Sequence, residues 1–175
     1  MDKEHLLGLY RTAFNRIQLA YASIVLWSYP DTPSFFVSLH EKMGPEVKIF
    51  PDVMRFVRDG EALRIACEEL FNTAYRTALN DLLEQSKTYC HSTGQLELLK
   101  SQPWFPLWRV LRNCFAHNLY FNFSPEEKAM LPVTWSGVTI TLEMNKKPPS
   151  HKTLPRAKLL ELLKAAQTFI ERDGA

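Results

Sequence analysis

A chain of 175 residues with 46% hydrophobic and 23% charged residues has the composition of a soluble globular protein, long enough to bury a core without disulfides or metal. A formal net charge of +2 excludes recognition of nucleic acid by global charge, so such a partner has to be met by a local patch. Cys67, Cys90 and Cys114 are odd in number and irregularly spaced, which argues against a disulfide framework and suits a reducing cytosol.

The N-terminal MDKEHLLGLY is acidic where a secretory signal is basic, and the most apolar stretch, LAYASIVLW, is too short to span a bilayer. The expectation is a cytoplasmic protein without a membrane partner, organised as a single domain over 1–175. EHLLGLYRTAFNRIQLAYASIVLW places Leu6, Tyr10, Ala13, Phe14, Ile17, Tyr21 and Ile24 at three- and four-residue steps and predicts a long amphipathic helix ending before Pro30. Residues 30–60 hold Pro30, Pro33, Pro45 and Pro51. They are read as an irregular connection with one short helix over PSFFVSLHEKMG and a turn plus another over FPDVMRFVRDG.

GEALRIACEELFNTAYRTALNDLLEQS predicts a second long helix with a stripe of Leu63, Cys67, Leu70, Ala74, Ala78 and Leu82, and with Glu61 favourably placed at its N-terminus. STGQLELLKSQ gives a short helix stopped by Pro103. PLWRVLRNCFAHNLYF gives another, whose first turn tolerates Pro106 and which frays near Asn122. Ser124-Pro125-Glu126-Glu127 begins one further turn. PVTWSGVTITLEM, rich in Val, Thr and Ile around Ser-Gly, predicts a β-hairpin. A basic loop, NKKPPSHKTLPRAK, then leads into a final helix with Leu159, Leu160, Leu163, Ala166 and Ile170 on one side. The fold class expected is all-α: a helical bundle with a small hairpin inserted before the C-terminal helix.

The chemistry concentrates in RNCFAHN, Arg112 to Asn118. At about 100° per residue, with Arg109 at zero, Tyr120 falls near 20°, Asn113 near 40°, His117 near 80°, Ala116 near −20° and Arg112 near −60°. Leu107, Leu111, Cys114, Phe115 and Leu119 take the opposite arc, where Asn118 is expected to make a buried structural hydrogen bond. Small Ala116 leaves room for the Arg112 guanidinium to swing toward the imidazole, so a cation, an amide and an imidazole surround a phosphate-sized dip. Cys90, His91, Cys114 and His117 do not make a zinc pattern, because Cys114 and His117 diverge by about 60° and adjacent Cys-His is not a usual ligand spacing. No glycine-rich phosphate loop, nucleophile elbow or paired-carboxylate motif is present.

RNCFAHN resembles the Arg-polar-x-x-x-His signature of the HEPN superfamily, all-helical domains common among prokaryotic toxin and defence ribonucleases. Arg112, Asn113 and His117 match its three marked positions. The resemblance implies a metal-independent endoribonuclease without a cofactor, in which the 2′-OH of RNA attacks the adjacent phosphate to leave a 2′,3′-cyclic phosphate and a 5′-OH. Such a reaction needs a base, an acid and positive charge on the phosphorane. His117 suits proton transfer, Arg112 the phosphate clamp, and Asn113 a phosphate contact or the orientation of His117.

One imidazole does not readily serve as base and acid together, and a twofold homodimer supplies two, as the resemblance also implies. An antitoxin or other regulatory protein is a further implied partner. In one HEPN toxin family a tyrosine two residues after the histidine is modified by its antitoxin. Here that position is Leu119, and Tyr120 stands instead as a residue that stacks or packs near the cleft.

Arg109, Tyr120, Lys146, Lys147 and Lys152 are candidate substrate contacts, with Arg156 and Lys158 in the same basic stretch; a solvated loop is the plain alternative. Trp104, Phe105 and Trp108 are read either as base-stacking platforms or as core or dimer interface. The rival functional reading is a non-catalytic helical dimer that binds nucleotide, RNA or a protein partner.

Overall fold

The computed structural model describes residues 1–43, 59–117, 119–150 and 152–172. Among them are α1 (Lys3–Ser28), α2 (Thr32–Met43), α3 (Gly60–Ser92), α4 (Leu96–Lys100), α5 (Phe105–Ala116), α6 (Pro125–Met130), the strands β1 (Val133–Trp135) and β2 (Val138–Ile140), a 3-10 turn at Leu142–Met144, and α7 (Arg156–Arg172). The fold is therefore all-α with a small antiparallel hairpin before the C-terminal helix, as the sequence pattern predicts. Almost all of the turn and helix expected over 50–60, and Asn118, lie outside the described residues.

The chain forms two compact units, one of Met1–Ala13 with Tyr75–Ala175 and one of Phe14–Ala74. In the first, Leu6, Tyr10, Leu79, Leu82, Leu83, Trp108, Leu111, Leu162, Leu163 and Ile170 are buried together. Burial of the polar edges of aromatic residues is permitted by specific partners. The Tyr10 hydroxyl lies 2.9 Å from the Ser86 hydroxyl, and the Trp108 indole N–H donates to the Leu79 carbonyl at 3.0 Å. Trp104 packs its ring 5.6 Å from Trp108 and 6.1 Å from Phe169, which makes these rings core rather than a stacking platform for bases. Phe105, likewise buried, belongs with them.

The hairpin turns at Ser136 and Gly137, with φ of 48° and 79°. Two consecutive left-handed residues match the right-handed twist of the flanking strands. The register pairs Val133 with Ile140 and Trp135 with Val138, so Val133, Val138 and Ile140 face the core while Thr134 and Thr139 face out, 3.0 Å apart.

In the second unit Thr32 opens α2 with its hydroxyl donating to the Leu26 carbonyl at 2.6 Å, and Trp27 stacks on Phe36 at 4.8 Å. Tyr21 packs 6.2 Å from Phe71 but is 58% exposed, so the apolar stripe of α1 is buried only in part.

Three sequence expectations are corrected. On α3 it is Phe71 and Tyr75, not Leu70, that continue the stripe from Leu63 and Cys67; Leu70 is 51% exposed. On α7 Leu162 and Phe169 are buried, while Leu160 is half-exposed. The helix expected to run to Asn122 stops at Ala116. Phe121 and Phe123 are both buried, which demands the alternation of an extended segment rather than a helical turn. Leu119 turns the chain with a left-handed φ of 61°, and the backbone of Phe121 then bonds Lys146 and Lys147.

The Tyr10–Ser86 contact is a test of the core. Tyr10→Phe strands a buried hydroxyl and is expected to lower stability by about 1–3 kcal/mol, with Tyr10→Phe/Ser86→Ala recovering part of the loss in urea unfolding. Burial pushes the thiols of Cys90 and Cys114 up, to about 11 and about 12. Unfolded thiols therefore lose protons before folded ones do. Melting temperature should fall as pH rises above the ordinary thiol value toward 11, and replacing both cysteines with alanine should flatten that slope.

Candidate functional site

The site is assembled where α3, α5 and α6 meet in the first unit. α5 carries Pro106 in its first turn, where a missing N–H costs nothing, and its apolar face buries Leu107, Trp108, Leu111, Cys114 and Phe115. Its other face presents Arg109, Arg112 and Asn113. The helix closes with the His117 amide donating to the carbonyls of Asn113, at 3.1 Å, and Cys114, at 3.3 Å. His117 is thus the C-cap, with φ −109° and ψ 60°. Its imidazole is exposed and makes no hydrogen bond with any described residue.

Arg112 is held on two sides. One terminal nitrogen, Nη1, donates to the Asn113 amide oxygen at 3.0 Å, and the other, Nη2, lies 3.3 Å from the Glu84 carboxylate on α3. Glu84 also takes Lys87 at 3.2 Å, so one carboxylate bridges two cations. The Arg112 side chain remains about one-third exposed, which keeps the guanidinium within reach of solvent.

Asn113 uses its other end. Its amide N–H donates to Glu127 at 2.7 Å. Glu127 is 1% exposed, and a buried carboxylate needs donors. It finds a second in the Ser124 backbone N–H at 2.8 Å, while the Glu127 N–H donates to the Ser124 hydroxyl at 3.2 Å. This reciprocal pair is a capping box that starts α6, with Pro125 at its first position. A continuous polar chain therefore runs Ser124–Glu127–Asn113–Arg112–Glu84–Lys87 through three helices.

Of the residues singled out in the sequence, Arg112 and Asn113 touch, and His117 stands one helical turn along from Asn113. Arg109 lies on the same face but is ion-paired with Glu126. Tyr120 does not share the helical arc, because α5 has ended; it is 51% exposed in the extended segment that follows. Lys146 and Lys147 are exposed, and their backbone bonds to Phe121 bring the basic loop to within a few residues of His117 along the chain.

Lys152 is exposed in a turn further on, Arg156 begins α7 with its carbonyl accepting from the Tyr75 hydroxyl at 3.3 Å, and Lys158 pairs with Glu161 at 2.8 Å. Cys90 and Cys114 belong to the core. Among the described residues no helix is long and apolar enough to cross a membrane.

Sequence reasoning missed Glu84, Lys87 and Glu127. For Glu127 a signal existed: Ser-Pro-Glu-Glu is the capping-box pattern, which puts the second glutamate back toward the N-cap and so close to whatever precedes it. Nothing local marks Glu84. Removing Glu127 should cost both the cap and the partner of Asn113, so Glu127→Ala is expected to lower stability by roughly 2–4 kcal/mol in urea unfolding, with Glu127→Gln intermediate. Compared with protein-family models, curated proteins and solved structures, the chain matches none.

Proposed function

We propose that this protein is a metal-independent endoribonuclease of the HEPN type, with Arg112, Asn113 and His117 as its catalytic residues. In this reading the Arg112 guanidinium holds the scissile phosphate. An imidazole removes the proton of the 2′-OH, whose oxygen then bonds to phosphorus. The bond to the 5′-oxygen breaks, and that oxygen leaves with a proton from a second imidazole. The products are a 2′,3′-cyclic phosphate and a 5′-OH. The second imidazole comes from another copy of the chain, so the working form is a homodimer. A role in toxin–antitoxin or defence systems, in the cytoplasm and under an antitoxin or similar regulator, goes with this reading.

The observation that carries it is the division of labour on α5. Arg112 and Asn113 are fixed by Glu84 and Glu127, while the imidazole of His117, one turn on, is exposed and unengaged among the described residues. A guanidinium positioned before the substrate arrives, and an imidazole unengaged among the described residues, are what phosphoryl transfer without a metal requires.

One observation favours a second reading, a non-catalytic helical domain that binds nucleotide, RNA or a protein partner. Asn113 has both ends of its amide occupied, by Arg112 and by Glu127, as a purely structural residue would.

The two separate in EDTA. Incubation with RNA is expected to yield fragments ending in 2′,3′-cyclic phosphate, and His117→Ala to slow cleavage by roughly 10²–10⁴-fold without changing the thermal melt. Cleavage that persists undiminished in His117→Ala, or that no RNA elicits, decides for the binding domain.

A further inference from the structure

Three buried side-chain polar atoms lack a hydrogen-bond partner among the described residues: Arg76 Nε, Asn80 Oδ1 and Arg112 Nε. They are not scattered. Taking Arg76 as zero on α3, Asn80 falls near 40°, Glu84 near 80° and Lys87 near 20°, so the four share one narrow face. All four are half-buried, and the face meets α5 where Glu84 reaches Arg112. Asp81 is exposed and points about 140° away by the same arithmetic, so Glu84 is the one carboxylate of this face between Arg76 and Lys87.

That carboxylate stands between two cations, 3.3 Å from Arg112 Nη2 and 3.2 Å from Lys87 Nζ. Two oxygens shared between a guanidinium and an ammonium are also the contacts a phosphodiester makes. The pair is about half open to solvent, so its mutual attraction is weak and an entering anion competes with it on even terms.

We infer that the RNA-binding surface extends from Arg112 onto α3, with Lys87 and Arg76 as contacts to backbone phosphates and Glu84 as a built-in anion that the RNA displaces. Arg76 and Lys87 are eleven residues apart, or roughly 16 Å along the helix axis, so the strip addresses a length of single strand rather than one phosphate. Glu84 thereby sets a threshold: it keeps the guanidinium in place while RNA is absent and weakens the grip of any lone phosphate. The inference deepens the ribonuclease reading and rests on it for the identity of the ligand.

The test is binding of the full-length protein to a short fluorescent single-stranded 2′-O-methyl RNA, whose capped nucleophile prevents cleavage, measured over a range of salt. Lys87→Ala and Arg76→Ala are each expected to weaken binding about fivefold or more and to reduce the slope of log K against log salt by about 0.7 for each phosphate that the variant no longer neutralises. Lys87→Arg should retain the affinity. Glu84→Gln, which keeps the shape and removes the charge, should tighten binding about threefold or more at low salt.

Unchanged affinity in both alanine variants while Arg112→Ala still weakens it overturns the inference and leaves the ribonuclease reading standing. Weaker binding by Glu84→Gln, or no binding by the unaltered protein, overturns it as well. If the binding shifts appear but His117→Ala cleaves RNA normally, the surface stands and the catalytic assignment falls. Circular dichroism of each variant confirms that the helices are intact.

Discussion

A carboxylate buried to 1% exposure has to be surrounded by donors, and the way Glu127 meets that requirement organises the part of the first unit that holds the candidate site. Its donors come from Ser124, which starts α6, and from Asn113, near the end of α5. Asn113 passes the constraint on to Arg112, and Arg112 to Glu84 on α3. Three helices from separate parts of the sequence are thus brought into one polar chain, and the position of the guanidinium follows from a carboxylate it never touches. The apolar core packs the helices together, but hydrophobic contact has no direction; the polar chain is what gives this part its orientation.

The second governing constraint is aromatic. Phe121 and Phe123 enter the core from an extended segment, their rings 5.4 Å apart, and the backbone bonds between Phe121 and the Lys146–Lys147 pair keep it extended. A helix continued through this stretch would bury only one of the two rings. Burying both requires α5 to stop at Ala116, and the left-handed Leu119 is the local cost of that stop. The place of His117 as the C-cap of α5 is therefore tied to residues four and six positions downstream of it.

These two constraints explain what the sequence discloses and what it hides. Helix positions, the hairpin and its Ser-Gly turn follow from periodicity and turn chemistry, which are local. The Arg112–Asn113 pair is likewise local. The stripe of α3 departs from the expected one at Leu70 because the buried arc lies to one side of Leu63: at about 100° per residue Leu70 falls near −20° from it, while Phe71, packed against Tyr21, falls near 80°, between Cys67 and Tyr75. The arc that puts Tyr120 beside His117 assumes a continuous helix; the alternation of Phe121 and Phe123 is visible in the sequence, but its precedence over helical continuation depends on tertiary burial. Glu84 and Lys87 come to Arg112 from another helix, a meeting that no spacing rule within one segment can express.

The polar chain also divides the site by mutational tolerance. Asn113 and Glu127 are part of the scaffold, so a change at either disturbs folding, and selection for stability alone would preserve them. His117 is different: its side chain is solvent-facing, and the fold asks of it only a backbone amide at the helix end. Nearly any side chain satisfies that request, and surface replacements of this kind usually alter stability by less than about 0.5 kcal/mol. A library of random substitutions sorted first for folded protein would therefore leave position 117 open to nearly every residue type, and a histidine retained there would record a demand made by something other than the fold.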